Sequence, residues 1–150
     1  MSMTLGFKTV RDLFEKLKRD ANLLDDEITS DRLFNFVVTA YSMIDWIKND
    51  PTVPFLAKEA KDELYADMWL KITGDLATAG KHFELTSRKP IISDATKYQG
   101  YGIGRFGKGK FGEGEESIKV RLNDGKSFNC HDLVRGVLNT WQEFFDKYGI

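Results

Sequence analysis

Cysteine, histidine and proline are all scarce in this 150-residue chain, at one, two and three residues, and neither sign of charge is in excess. The lone Cys130 excludes an intramolecular disulfide and fits a reducing compartment. One cysteine and two distant histidines, His82 and His131, make no zinc pattern, so neither a metal nor a cofactor is expected. A net charge of -1, from 22 basic and 23 acidic residues, supplies no global field toward DNA, RNA or an anionic membrane. Nucleic-acid contact would need a local patch. The longest apolar stretch, around residues 34–47, is interrupted by Asn35, Thr39, Ser42 and Asp45. It falls short of the ~20 apolar residues that cross a bilayer. Residues 1–8 lack the apolar centre of a signal peptide. Together these absences point to a cytoplasmic protein without membrane contact. Nucleophile-elbow, P-loop and metalloprotease motifs are missing as well.

Aromatic residues are plentiful, with 3 Trp, 5 Tyr and 11 Phe, and they argue for a packed core within a single domain spanning residues 1–150. Val10, Leu13, Phe14, Leu17, Ala21 and Leu24 recur every three or four residues, predicting a first amphipathic helix. Thr9 and Asp12 have the spacing of a capping box. Ser30 and Asp31 are suitable caps for a second helix, whose apolar residues from Leu33 to Ile47 cover most of its circumference. That helix should be central and contacted on several sides. Pro51 and Pro54 end it. A third helical region follows over residues 55–83, broken at most once, with a stripe of Leu64, Met68, Ile72, Leu76, Ala79 and Phe83. Gly74 and Gly80 weaken it, and each either permits close packing or marks a fraying end.

The pattern changes after Glu84. Ile91 and Ile92 follow Pro90 as a short strand or extended segment. Ile118, Val120 and Leu122 alternate with Lys119 and Arg121, as a half-buried strand does. Asn123-Asp124-Gly125 predicts a hairpin turn with positive φ at Asp-Gly, and residues 126–129 form the return strand. Leu133, Val137, Leu138, Trp141, Phe145 and Tyr148 mark a closing helix over residues 132–147. The expected fold is mainly α: a helical bundle of about four helices with a C-terminal β-hairpin and a glycine-rich loop. The helical part covers residues 9–85, the glycine-rich tract 99–116, and the hairpin with the final helix 117–150.

Residues 101–115 are three copies of one pentapeptide: aromatic, Gly, X, Gly, polar. Seven of the 13 glycines fall between Gly100 and Gly114. Gly102 to Gly107 matches G-x-G-x-x-G literally, but a dinucleotide site needs a helix N-terminus after the loop, and this tract leads into a strand. Arg105, Lys108 and Lys110 interleave with Tyr101, Phe106 and Phe111 as cations and stacking surfaces do in nucleic-acid-binding segments. Glu113, Glu115 and Glu116 cancel that charge. The backbone entropy of ordering the tract exceeds what three aromatic side chains return on burial. The tract is therefore expected to be loose alone, either as a plain loop or as a segment ordered by a partner.

The polar candidates are few. Asp75, Thr78 and His82 share a helix face, extended by Lys71, with Lys81 adjacent; a carboxylate beside an imidazole suits acid–base work. The alternative is a solvated face or a capping histidine. Cys130, at a helix start beside His131 and Asp132, is either a reactive thiol or a buried junction residue. Asp45, between Ile44 and Trp46, is either a buried functional carboxylate or a paired edge residue.

Phe34-Asn35-Phe36-Val37-Val38-Thr39-Ala40-Tyr41, Asp45-Trp46-Ile47, Gly74-Asp75 and Gly80-Lys81-His82-Phe83 resemble small bacterial helical proteins of the HEPN type over residues 30–85. That resemblance implies a helical bundle, paired subunits, and a toxin–antitoxin, mobile-element or phage-defence setting. In active HEPN ribonucleases an Arg and a polar residue precede a His by a few positions. Asp75 and His82 would match the polar residue and the His, whereas Gly74 stands where the Arg belongs and the spacing to His82 is longer. The sequence thus favours a non-catalytic macromolecular interaction protein, its partner a second protein or a second copy. A ribonuclease using His82, Asp75 and Lys81 is the alternative.

Overall fold

The computed structural model describes the backbone of residues 3–82, 89–100 and 115–150, and the side chains of 3–80, 89–98 and 117–150. The described chain is mainly helical, with a small three-stranded antiparallel sheet. The repeat residues Tyr101, Arg105, Phe106, Lys108, Lys110 and Phe111 lie outside the described residues.

Helix α1 (Val10–Asp26) begins as its sequence dictates. Thr9 accepts the Asp12 N–H, and Asp12 accepts the Thr9 N–H, forming the capping box. Helix α2 (Ser30–Asn49) is capped by Thr29, whose hydroxyl accepts the Arg32 N–H; Ser30 and Asp31 are already helical. Its core face carries Leu33, Phe36, Val37, Ala40, Met43, Ile44 and Ile47, all buried.

The third helical region is broken twice rather than once. α3 (Phe55–Glu59) and α4 (Lys61–Ala66) divide at Ala60, and α5 (Met68–His82) starts after Asp67. Asp67 caps α5 by accepting the Leu70 N–H. α6 (Cys130–Tyr148) starts two residues earlier than the apolar pattern suggests, because Asn129 and Asp132 form a second capping box. It ends at Gly149, left-handed at φ +70°, while Ile150 N–H returns to the Phe145 carbonyl.

The anticipated hairpin is one edge of a larger sheet. β1 (Ile92–Gly100) pairs with β2 (Glu115–Leu122), which pairs with β3 (Ser127–Asn129). The sheet thereby takes in residues 99–100 and 115–116 from both ends of the tract assigned to 99–116. The β2–β3 turn has three residues: Leu122 N–H bonds to the Lys126 carbonyl, and Gly125 alone of the turn carries positive φ, +91°. Asp124 instead accepts the Lys126 N–H through its carboxylate. The turn thus falls on Asn123-Asp124-Gly125 as expected, but Asp124 lacks the positive φ expected at Asp-Gly.

α1 packs on α2, α2 on α5, α5 on α6 and α6 on α1, while β2 and β3 rest on α6. Trp141, Phe14, Phe36 and Phe145 are among the largest fully buried side chains. Trp141 Nε1 donates to the Ala40 carbonyl at 3.2 Å, so its one polar atom is satisfied. Among the described residues, no helix is long and apolar enough to cross a membrane.

Candidate functional site

The chemical candidates are best judged from what each side chain touches. Asp75, on α5, is only 2% exposed. Its Oδ2 accepts the backbone N–H of Ile91 at 2.8 Å and of Ile92 at 3.2 Å. The carboxylate thus anchors the segment entering β1, a role with no signal in the helix-face pattern. Lys81 and His82 occupy the last turn of α5, and their side chains lie outside the described ones.

Cys130 is buried at 1% exposure. Burial pushes its thiol up to about 12. At neutral pH it is a protonated core residue, which corrects the reactive-thiol alternative: desolvation outweighs the helix N-terminus. Asp45 is not buried; it stands at the surface, 3.5 Å from Lys48. His131 lines a separate hollow of about 570 Å³ between α1 and α6, with Asn22, Asp25, Asp132 and Arg135. Among the described residues, no group of three or more His, Cys, Asp or Glu is placed to hold a metal ion.

What the structure assembles instead is a two-part cleft between α2, α4 and α5. The larger part, about 520 Å³, is walled by Phe34, Val38, Tyr41, Tyr65, Ala77 and Thr78, with Asp45 at its edge. The smaller part, about 220 Å³, holds Lys71, Asp75, Lys89 and Ile91, and shares Tyr41 and Tyr65 with the larger. Phe34, 44% exposed, lies against Gly80: a Cβ there would come within 2.5 Å of its ring. Lys48 Nζ sits 4.8 Å from the Tyr65 ring centre. The Tyr65 hydroxyl foremost, and then Asp45, hold Lys48 above the usual ammonium range. The cleft therefore combines aromatic faces with lysines at one end.

Only Asp75, Lys71, Thr78 and Asp45 of this group stand out in the sequence as polar candidates. Phe34, Val38 and Tyr41 form a second apolar stripe on α2, implied by that helix's nearly all-round hydrophobicity. Tyr65 and Lys89 come from other elements and carry no local signal.

No family model matches the sequence, and no curated protein or solved structure matches it.

Proposed function

We propose that the protein is a non-catalytic interaction protein, acting in the cytoplasm by binding a protein partner or a second copy of itself. The observation that carries this reading is the state of two of the described candidates, Asp75 and Cys130. Asp75 holds two backbone N–H groups on its Oδ2, and Cys130 is a buried neutral thiol. Exposed aromatic surface, by contrast, is offered at the cleft. Partner-binding sites are built from such surface, with charge at the rim. The HEPN resemblance over residues 30–85, the stretch that holds α2, α3, α4 and α5, adds the mobile-element or phage-defence setting.

The test is gentle purification of the tagged chain from a bacterial host, with mass spectrometry and nucleic-acid analysis of what accompanies it. A stoichiometric protein, or a dimer, supports the reading. A clean monomer that cleaves total RNA, with cleavage abolished by His82→Ala, would replace it with the ribonuclease. The glycine–aromatic repeat is tested in the same assay. Gly100 pairs directly with Glu115, so residues 101–114 can be exchanged for a short Asn-Gly turn that keeps β1 and β2 joined. Partner loss would place the contact at Tyr101, Arg105, Phe106, Lys108, Lys110 and Phe111.

A further inference from the structure

We infer that the chain associates with a second copy of itself about a two-fold axis. The Phe55–Leu56 edge of α3 in each copy enters the hollow between α2, α4 and α5 of the other. The inference rests on the interaction reading above and names which of its two partners the surface fits.

The core leaves α3 no way to hide its apolar edge. Val53 and Ala57 are buried and hold the helix down, while Phe55 and Leu56 stand outward at 72% and 71% exposure. There both side chains forgo the free energy of apolar burial. The hollow has the matching character. Phe34, Val38, Tyr41, Tyr65 and Ala77 wall it, and its 520 Å³ lies in the range of sites that enclose small ligands. Knob and hollow are neighbours. Lys58 of α3 donates to the Lys48 carbonyl at 3.2 Å, and Lys48 Nζ lies 4.8 Å from the ring centre of Tyr65, which lines the hollow.

A foreign partner needs only one of these two shapes. A chain that carries both side by side is complementary to itself, and one two-fold axis between them makes the contact twice. The area agrees. An aromatic side chain offers roughly 150–250 Å², and with Phe34 and Tyr65 also exposed the four residues show on the order of 400 Å² per copy. Pairing two copies covers about 800 Å² from these side chains alone, and the residues around them raise it toward the roughly 1,200 Å² of a small specific interface. Charge sets no barrier. Copies of net charge -1 repel one another little. Both rims carry both signs, Asp45 and Lys48 at the hollow, Glu59 and Lys61 at the knob.

Sedimentation equilibrium of the full chain, from low micromolar to millimolar concentration, reads the association directly. The parent is expected to pass from monomer to dimer across that range, as a small interface does. Phe55→Glu combined with Leu56→Glu removes the knob and should weaken dimerisation at least about a hundredfold. Thr78→Trp fills the hollow from α5 and should do the same; Gly80→Ala, which displaces Phe34, takes its place if that variant melts early. The decisive sample mixes the two kinds of variant. A knobless chain with an open hollow and a filled chain with its knob still make one of the two contacts. The mixture should therefore form a heterodimer more readily than either variant self-associates. A parent that stays monomeric at millimolar concentration, a dimer that survives loss of the knob, or a mixture no better than its components would each overturn the inference. Native purification separates it from its premise. A stoichiometric foreign protein on a monomeric chain refutes the second copy alone, whereas a chain with no partner of either kind refutes the interaction reading as well.

Discussion

The Asp75 carboxylate on α5 accepts the N–H of Ile91 at 2.8 Å, and through it the helix holds the chain at the point where the sheet begins. Removing the acceptor strands two amides, those of Ile91 and Ile92, at a part-buried position. Hydrogen bonds to a charged group contribute about 1.5–3 kcal/mol each, and an unsatisfied partner adds its own desolvation cost. Asp75→Ala should therefore lower unfolding stability by about 2–4 kcal/mol, and Asp75→Asn, which keeps an acceptor oxygen, by less. Urea denaturation of both variants checks the order. Equal stability of Asp75→Ala and the parent would show that the carboxylate is not a structural anchor.

Gly136 in α6 faces the Trp69 indole of α5 with no room for a side chain. A Cβ there would lie 2.6 Å from Nε1 and closer still to Cδ2 and Cε2. On an open helix surface Gly→Ala stabilises by roughly 1 kcal/mol. Here overlap with a ring that also packs edge-on against Phe128, at 4.7 Å between centroids, should reverse the sign. Gly136→Ala is expected to destabilise by about 1–3 kcal/mol. Trp69→Leu in the same chain should recover part of that loss, a coupling that a double-mutant cycle measures directly.

Where local chemistry governs, the chain is legible. Thr9 and Asp12 form the capping box their spacing announces, and the apolar stripe of α1 becomes its buried face. The same spacing at Asn129 and Asp132 marks the true start of α6, a signal that the apolar pattern alone passes over. β1 is harder to see because Ser93 through Lys97 are exposed and show no alternation; pairing with β2 makes it a strand. The break at Ala60 has neither proline nor glycine to announce it. The site is less legible still. Asp75 is visible as a polar residue on a helix face, but its partners are backbone amides 16 and 17 residues away. Tyr41, Tyr65 and Lys89 meet only after three elements pack together.

Cys130 ties stability to alkaline pH. Its thiol ionises at about 12 in the folded chain, against 9.0 when unperturbed. Between those values the unfolded chain releases a proton that the folded chain keeps, so ionisation favours unfolding. The sign is fixed: the thiol's contribution is intact below pH 9 and declines as pH rises toward 12, at up to about 1.4 kcal/mol per pH unit. Cys130→Ala should flatten that part of the stability profile. In the parent at pH 8, a thiol reagent such as dithionitrobenzoate should react only as fast as the protein opens, and promptly in denaturant. Prompt labelling of the native protein would place the thiol at the surface.

Asp50 sets the opposite, acid limit. It closes α2, its N–H returning to the Trp46 carbonyl, while its own Oδ2 accepts the first N–H of α1, from Val10, at 2.7 Å. Oδ1 accepts the Thr52 N–H and hydroxyl at 2.8 and 2.7 Å. Burial by itself would raise the pKa of this 4% exposed carboxyl, yet the Val10 and Thr52 bonds with the Lys58 charge outweigh it and bring it below its usual 3.8. A folded-state pKa below the unfolded one gives stability that is present above 3.8 and is lost as pH falls through the lower folded value. Asp50→Asn keeps one acceptor but loses the charge-assisted bonds. It should cost about 1–3 kcal/mol at pH 7. It should also make the stability curve below pH 4 shallower than the parent's. Thermal melts of the two proteins from pH 7 to pH 2.5 measure both effects. Parallel curves across that range would show that the charge of Asp50 does not hold α1 to α2.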